Sequence, residues 1–209
     1  MGNITVVNHA LIQRDLSIVR DKNTPLPSFR AALHRIAVGL VYEATRNLLL
    51  EETPIETPLE PTTGYRVVNR IVFVPILRAG LSFLNAALSI VPEATVGFIG
   101  IRRDEQTLEP YEYHYHVPPA ENEHTLAIIL DPMIATGGSM VAALNRLSID
   151  GYQHCAVVAL IAAPEGIEKV HSYHPTVPIF LAALDRQLND SGYILPGLGD
   201  AGDRFCATT

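Results

Sequence analysis

The stretch TLAIILDPMIATGGSM, from Thr125 to Met140, reads as a strand, an acidic residue, a glycine loop and the start of a helix. Its apolar run from Leu126 to Leu130 is short and rich in β-branched residues, which is typical of a buried strand. Pro132 cannot continue a central strand, so the strand ends near Asp131. Because ligands of open α/β sheets bind at the carboxyl ends of the strands, the pattern places Asp131 in a binding site.

The loop from Ala135 to Ser139, with the sequence ATGGS, is a candidate anion site. Free backbone N–H groups and the positive end of the helix dipole meet at such a helix start, and a phosphate suits them best. Gly137 and Gly138 allow close approach of the backbone, while the Thr136 and Ser139 hydroxyls add donors. The loop lacks the lysine of a Walker loop and the glycine spacing of a dinucleotide fingerprint. An ordinary helix cap made by Thr136 or Ser139 stays open as the alternative.

The composition is that of a globular chain and excludes several classes of protein. The 209 residues suffice for one α/β domain, and 48% hydrophobic with 18% charged residues excludes extensive disorder. The net charge is −7 and no basic run occurs, so we expect no nucleic-acid partner. We find no signal peptide and no apolar run of membrane-spanning length, which predicts no membrane association and a cytoplasmic location.

Apolar runs alternate with helical patterns along the rest of the chain. A short strand at residues 4–7 precedes a predicted loop at 8–27, and a long helix capped by Ser28 follows, with a stripe buried against the domain or a second subunit. An extended crossing is predicted for the proline-bearing residues 52–64. Buried strands are predicted at residues 71–76, 95–101, 155–163 and 177–184, with helices at 84–91 and 164–174. The alternation predicts an α/β fold with a doubly wound, mainly parallel sheet flanked by helices.

We expect a single domain over residues 1–209, with an N-terminal arm and helix to about residue 50 and a core at about 65–185. Residues 103–120 are predicted to form a projecting hairpin flap outside the core, because Tyr111, Tyr113 and Tyr115 alternate with polar residues there. The tail from about residue 190 to 209 combines glycines, carboxylates and apolar residues. A flexible C-terminus is the alternative, but a glycine loop with apolar walls suits a flat ring.

Five segments of the chain resemble, in the same order, segments of the uracil phosphoribosyltransferase family. They are VPILRAG, IGIRRDEQTLEP, DPMIATGGS, AAPEGI and GYILPGLGDAGDR. RDKNTP and YEATR share the resemblance, which therefore covers nearly the whole chain. The loop DPMIATGGS alone resembles only the wider superfamily of phosphoribosyltransferases that bind 5-phospho-α-D-ribose 1-diphosphate (PRPP), whereas the tail is much more specific and points to uracil. The resemblance implies the type I fold with a C-terminal base-binding loop, and conversion of uracil and PRPP to UMP and diphosphate in pyrimidine salvage.

The resemblance also implies roles for individual residues. Asp131 would bind the ribose hydroxyls, Ala135 to Ser139 the 5′-phosphate, and Arg78 with the Leu77–Ala79 backbone the diphosphate, with Arg103 reaching it from the hairpin. The catalytic set would be Arg78, Arg103, Asp131 and Asp200. The PRPP-binding set adds Pro132, Met133, Ile134, Ala135, Thr136, Gly137, Gly138 and Ser139. The uracil-binding set would be Tyr193, Ile194, Gly199, Asp200, Ala201 and Gly202.

Most PRPP loops carry two adjacent acids, and here Pro132 replaces the second. We therefore expect the implied cofactor, Mg²⁺, to be held mainly by substrate oxygens and water, without an assigned protein ligand. The family resemblance further suggests a homo-oligomer, a dimer or a tetramer, and a possible GTP effector. Two other functions remain open: a PRPP-sensing regulator of the same fold, and a phosphoribosyltransferase for another base.

Overall fold

A computed structural model describes residues 3–103 and 110–208. Along these residues the chain forms, in order, β1 (Ile4–Val6), α1 (Ala10–Arg20), α2 (Leu26–Ala44), β2 (Leu50–Glu56), β3 (Pro61–Val67), β4 (Arg70–Leu77), α3 (Leu81–Ile90), β5 (Thr95–Val96), β6 (Phe98–Arg103), β7 (Pro110–His116), β8 (Thr125–Leu130), β9 (Met133–Ile134), α4 (Gly138–Ile149), β10 (His154–Ala162), α5 (Pro164–Tyr173), β11 (Ile179–Leu184), β12 (Gln187–Leu188), β13 (Ile194–Leu195) and α6 (Ala201–Cys206).

A mainly parallel sheet forms the centre of the molecule, in the strand order β1-β11-β10-β8-β4-β6-β7. Its neighbours pair in parallel, except that β7 runs antiparallel to β6. The central strands β4, β8 and β10 are buried almost throughout, as expected for parallel strands covered on both faces. Their carboxyl ends lie at one edge of the sheet, which brings together the turns that follow them.

Helices cover both faces of the sheet, so the predicted doubly wound α/β fold is confirmed. One apolar layer contains α1, α2 and α3 with alternate side chains of the strands, and Phe29, Phe73 and Phe83 are fully buried in it. The second layer packs α4 and α5 on the other face, around Ile129 and Leu144. The buried stripe of α2 contacts α1, α3 and β10, which means that its partner is the domain itself.

Helix α1 lies where a loop was predicted, so the prediction for residues 8–27 is wrong over Ala10–Arg20. Its buried stripe, Ile12, Leu16 and Val19, also includes Asp15, whose charge hid the helical period in the sequence. Arg35 of α2 donates to the Asp15 carboxylate through two nitrogens, at 2.7 and 2.8 Å. The ion pair makes burial of that carboxylate tolerable and joins α1 to α2.

Helix α2 begins at Leu26 after Pro25, and no side chain caps it, so the predicted cap at Ser28 is wrong. Proline suits the first turn of a helix, because its missing N–H would have no partner there. The long helix that the sequence predicted is otherwise present.

Residues 50–67 form an antiparallel hairpin, β2–β3, separate from the main sheet, where an extended crossing was predicted. Pro54 and Pro61 are compatible with it, because each strand of a two-stranded ribbon has an open edge. Apolar side chains of this hairpin are exposed to solvent: Leu50, Ile55, Leu59, Tyr65 and Val67.

The predicted single strand at residues 95–101 is divided at Gly97, whose N–H donates to the Phe73 carbonyl at 2.9 Å. Strand β7 then returns along β6 with a bulge at Gly100 and Ile101. The bulge leaves Tyr113 exposed and turns Tyr115 towards the core formed with α4. The base of this ribbon therefore belongs to the sheet, and the prediction that it lies wholly outside the core is wrong for Tyr115.

The tail contains more regular structure than the predicted loop, since Ala201–Cys206 form the helix α6 and β12 pairs with β13. Asp200 caps α6, its carboxylate accepting from the Asp203 N–H at 2.8 Å. No helix among residues 3–103 and 110–208 has the length and apolar character needed to cross a bilayer.

Candidate active site

The turns after β4 and β8 and the C-terminal tail meet at the carboxyl edge of the sheet. An open cleft of about 340 Å³ lies between them, lined by Ala79, Met133, Ala135, Ser191, Gly192, Tyr193, Asp200, Ala201 and Gly202. A smaller cavity of about 50 Å³ is formed by Asp131 and the loop from Met133 to Met140. Met133 and Ala135 line both spaces, so the cleft and the loop form one continuous site.

The glycine loop has the geometry of an anion site. Gly137 has a φ of 77°, a left-handed conformation that favours glycine, and α4 begins at the next residue. Gly137 also packs on α5, because a Cβ at this position would lie 2.5 Å from the Gly166 carbonyl oxygen. In turn, a Cβ at Gly166 would lie 2.2 Å from the Ala135 carbonyl oxygen. Gly166 belongs to the segment AAPEGI, for which the sequence predicted no role. This segment thus supports the glycine loop.

The residues between Asp131 and the loop shape it mainly through the backbone. The Pro132 carbonyl accepts from the N–H groups of Leu160 and Ile161, and the Ile134 carbonyl accepts from Ala163 at 2.9 Å. The Ile134 side chain is buried in the core, so only its backbone is available near the site. These bonds attach the loop to β10, a rigid strand, which preorganises its N–H groups.

Asp131 follows β8 directly, as predicted, and its carboxyl lines the smaller cavity. Burial raises its pKa to about 7, a weak hydrogen bond from the Met133 N–H at 3.4 Å opposes this, and the nearby Asp200 carboxylate adds to the rise. Asp131 therefore carries a proton in part of the population near neutral pH.

Arg78 lies in the turn after β4, on a cis Leu77–Arg78 peptide. Its side chain is 61% exposed and reaches the Asp203 carboxylate of α6 only at 3.5 Å. The turn is closely packed below, since a Cβ at Gly80 would lie 2.3 Å from the Leu130 carbonyl oxygen. This packing places the turn that carries Arg78 beside the carboxyl end of β8, and the exposed guanidinium is accessible to an anionic ligand.

The tail residues predicted to bind uracil divide into two groups. Tyr193, Asp200, Ala201 and Gly202 line the cleft, whereas Ile194 and Gly199 do not. Ile194 directs its side chain into the core with 4% exposure, so only its backbone is available to a base. Ser191 and Gly192 line the cleft too, and no pattern in the sequence singled them out.

Arg103 is the last residue of β6, and its side chain lies outside the described part of the protein. Its predicted contact with diphosphate therefore stays a prediction. Within residues 3–103 and 110–208, no group of three or more His, Cys, Asp or Glu residues is arranged to hold a metal ion.

Comparison with known proteins decides the family. The family model described as uracil phosphoribosyltransferase matches residues 6–208. The chain belongs to the uracil phosphoribosyltransferase family. It is 47% identical to the uracil phosphoribosyltransferase of Salinibacter ruber, over 100% of this chain and 99% of the relative. A uracil phosphoribosyltransferase of a Thermoanaerobacter species is 48% identical, over 99% and 98% of the two chains.

Solved structures agree with the type I phosphoribosyltransferase fold. A protein of Aquifex aeolicus superposes with a TM-score of 0.92 at 42% identity, covering 99% of both chains. A hypoxanthine-guanine phosphoribosyltransferase of Bacillus anthracis superposes with a TM-score of 0.52 at 10% identity, covering 77% of this chain and 80% of the other. The second similarity shows only the shared fold.

Proposed function

We propose that this member of the uracil phosphoribosyltransferase family transfers the phosphoribosyl group of PRPP to N1 of uracil, forming UMP and diphosphate in pyrimidine salvage. The continuity of the base cleft with the phosphate loop, through Met133 and Ala135, is the observation that carries the proposal. A ribose 5-phosphate seated on the loop would present its anomeric carbon to the cleft, where the base would lie.

The reaction needs stabilisation of charge more than a strong base. The bond between the anomeric carbon and diphosphate breaks, the bond to N1 forms, and the N1 proton is released. The transition state resembles an oxocarbenium ion, and the departing diphosphate gains charge. Arg78 is the candidate for stabilising that anion, because its guanidinium is exposed beside the site. Asp131 would hold the ribose hydroxyls, and backbone N–H groups of the loop the 5′-phosphate.

Mg²⁺ fits the site as a partner of the substrate. Two carboxylates, Asp131 and Asp200, are close enough for the charge of one to raise the pKa of the other. They supply hard oxygen donors, but too few for an all-protein site, which suits a Mg²⁺ ion that keeps phosphate oxygens and water as ligands. When bound, Mg²⁺ would supply charge neutralisation at the diphosphate.

A turnover assay tests the proposal. Uracil, PRPP and Mg²⁺ should yield UMP and diphosphate in equal amounts, and omission of uracil should abolish both products. PRPP binding by calorimetry without turnover of any base would instead indicate a PRPP-sensing regulator. Turnover of another base in place of uracil would indicate a phosphoribosyltransferase for that base.

We also propose that the protein is a homo-oligomer, at least a dimer, with the β2–β3 hairpin in the interface. A two-stranded ribbon alone is marginally stable in water, and this one exposes apolar side chains, among them Leu59 at 94%. Leu50 and Val67 are paired directly across the two strands. Light scattering should give an oligomer for the wild type and a smaller species for Leu50→Glu/Val67→Glu. Ile149→Glu, which changes an exposed apolar residue of α4, is the control and should leave the mass unchanged.

Two further predictions from the family resemblance remain. Activation by GTP would appear as a higher rate at subsaturating PRPP when GTP is added, and an unchanged rate would count against it. The cytoplasmic location likewise stays a prediction.

A further inference from the structure

The turn between β13 and α6 is held by an ion pair that the reaction does not use. Arg20, the last residue of α1, donates to the Asp185 carboxylate through both terminal nitrogens, one at 2.9 Å. The same nitrogen, Nη1, donates to the Gly197 carbonyl at 2.8 Å. Asp185 also accepts from the Gly197 N–H at 3.0 Å. The ion pair therefore forms hydrogen bonds with both the N–H and the carbonyl of Gly197.

Gly197 packs closely against the backbone of Ile194, one of the tail residues predicted to bind uracil. It has a φ of 61°, and a Cβ at this position would lie 2.1 Å from the Ile194 carbonyl oxygen. The Ile194 carbonyl is therefore packed directly against the residue that Arg20 and Asp185 fix. A displacement of Gly197 would move this carbonyl or open a gap behind it.

A second arginine fastens the same turn from the opposite direction. Arg204 of α6 donates to the Leu198 carbonyl at 2.8 Å and to the Val19 carbonyl, at the end of α1, at 2.6 Å. It also donates to the Asp21 carbonyl at 2.8 Å. Thus Arg20 of α1 binds the tail, and Arg204 of the tail binds the end of α1.

Burial suggests that this arrangement determines geometry more than it adds stability. The Asp185 side chain is 4% exposed and that of Arg20 is 23% exposed. The cost of removing such a pair from water offsets most of its attraction, so a buried ion pair is weak evidence for stability. Its fixed bidentate geometry can nevertheless set the orientation of one peptide group.

We propose that Arg20 and Asp185 are positioning residues for base selection: by gripping Gly197 they hold the Ile194 carbonyl where it accepts from N3–H of uracil. The inference rests on the proposed function. Cytosine has no proton on N3, so a rigid acceptor rejects it, whereas an acceptor free to move tolerates it better. Loosening this turn should therefore affect the choice of base and leave PRPP binding alone.

The test compares Arg20→Gln and Asp185→Asn with a matched control, Arg35→Gln. The control removes the bidentate partner of Asp15, a buried carboxylate of the same helix α1 that is hydrogen-bonded to Arg14 and Arg35. Either test variant should raise KM for uracil about tenfold or more, since small misplacements are costly in oriented sites. The ratio of kcat/KM for uracil to that for cytosine should fall by a similar factor. KM for PRPP should stay within about threefold of the wild type.

Three further comparisons separate positioning from stability. Arg35→Gln should lower the Tm without changing KM for uracil. The double variant Arg20→Gln/Asp185→Asn should be no worse than the more severe single variant, because both remove the same grip. Arg20→Lys keeps the charge but loses the planar guanidinium that binds Asp185 through two nitrogens. This variant should fold and give an intermediate KM for uracil.

Wild-type KM and base preference in folded Arg20 and Asp185 variants would overturn the inference alone. Equal increases of KM for uracil in the Arg35 control would do the same, because a general loss of stability would then explain them. A wild-type enzyme that does not turn over uracil would overturn the proposed function as well.

Discussion

At the scale of single residues, the proposed chemistry depends on the protonation of Asp131. Its pKa is raised to about 7, chiefly by burial, and the ionised form accepts hydrogen bonds from the ribose hydroxyls more strongly than the neutral carboxyl does. We therefore expect kcat/KM for PRPP to rise with pH through about 7 and then level off. Asp131→Asn should lower kcat/KM by more than about tenfold and remove this rise. A pH profile shared by the variant and the wild type would show that another group controls it.

The raised pKa of the Asp131 carboxyl also leads us to predict how stability depends on pH. The unfolded carboxyl has the ordinary pKa of 3.8 and the folded one is raised, so the folded state binds the proton more tightly. The resulting stabilisation is complete below 3.8 and is lost as the pH rises through about 7. The apo form of Asp131→Asn should therefore exceed the wild type in free energy of unfolding at about pH 8, with the difference shrinking towards pH 5. Urea denaturation at several pH values measures this, and a variant that is less stable throughout would refute it.

Arg78 is the second residue on which the proposed mechanism depends. If it stabilises the departing diphosphate, Arg78→Ala should lower kcat/KM for PRPP by a factor of about 10²–10³, as for the loss of one preorganised donor. Arg46→Ala is the control, because that arginine is 68% exposed but pairs with Glu43 on α2. Near wild-type turnover in Arg78→Ala would remove this residue from the mechanism.

At the scale of elements, the β6–β7 ribbon is anchored around Tyr115, and we expect its other end to respond to the binding of PRPP and Mg²⁺. The Tyr115 hydroxyl donates to the carboxylate of Asp150, the residue that follows α4, and the Arg146 guanidinium lies 4.2 Å from the centre of the Tyr115 ring. Tyr111 and Tyr113, farther along β7, are exposed. We expect PRPP and Mg²⁺ to slow amide hydrogen exchange around Tyr111 and Tyr113 more than around Tyr115. Mass spectrometry with and without ligand measures this, and equal exchange in both would exclude a closing flap.

Elements with continuous apolar runs were predictable from the sequence, and those with mixed character were not. The strands around Ile128 and Val158 and the loop after Asp131 lie as predicted, because burial on both faces leaves an unmistakable apolar run. Helix α1 was missed because buried Asp15 interrupts its stripe. The hairpin β2–β3 was missed because its apolar residues face solvent in this chain, so no local pattern marks a buried face.

The candidate site was predictable only where a residue acts near its own position in the sequence. Asp131 and Gly137 belong to one strand–loop–helix unit, which has a recognisable pattern. The support from Gly166, and the grip of Arg20 and Asp185 on Gly197, arise from packing between segments far apart in the chain. No spacing in the sequence reports such contacts, although AAPEGI contains Gly166 and RDKNTP contains Arg20.

At the scale of the whole molecule, the loop after β8 and the C-terminal tail, which are far apart in the sequence, meet at one edge of the sheet. The sheet provides the phosphate loop and Asp131, and the C-terminal tail, fastened to α1, closes the cleft over them. In the proposed mechanism, phosphate is bound by the part of the fold shared with other type I phosphoribosyltransferases, and the base is bound by the tail. Cutting the chain before Tyr193 should accordingly abolish turnover of uracil.

The comparison of uracil with cytosine as acceptors tests this account most directly. A rigid backbone site that donates to O4 and accepts from N3–H meets cytosine with donor facing donor and acceptor facing acceptor. Sites built to bind a hydrogen-bonding group can reject the wrong analogue by about 10⁴-fold, because their buried polar groups are left unpaired. We predict a ratio of kcat/KM for uracil to that for cytosine of this order, with PRPP and Mg²⁺ saturating. Comparable values for the two bases would contradict the assignment of the tail as a uracil site.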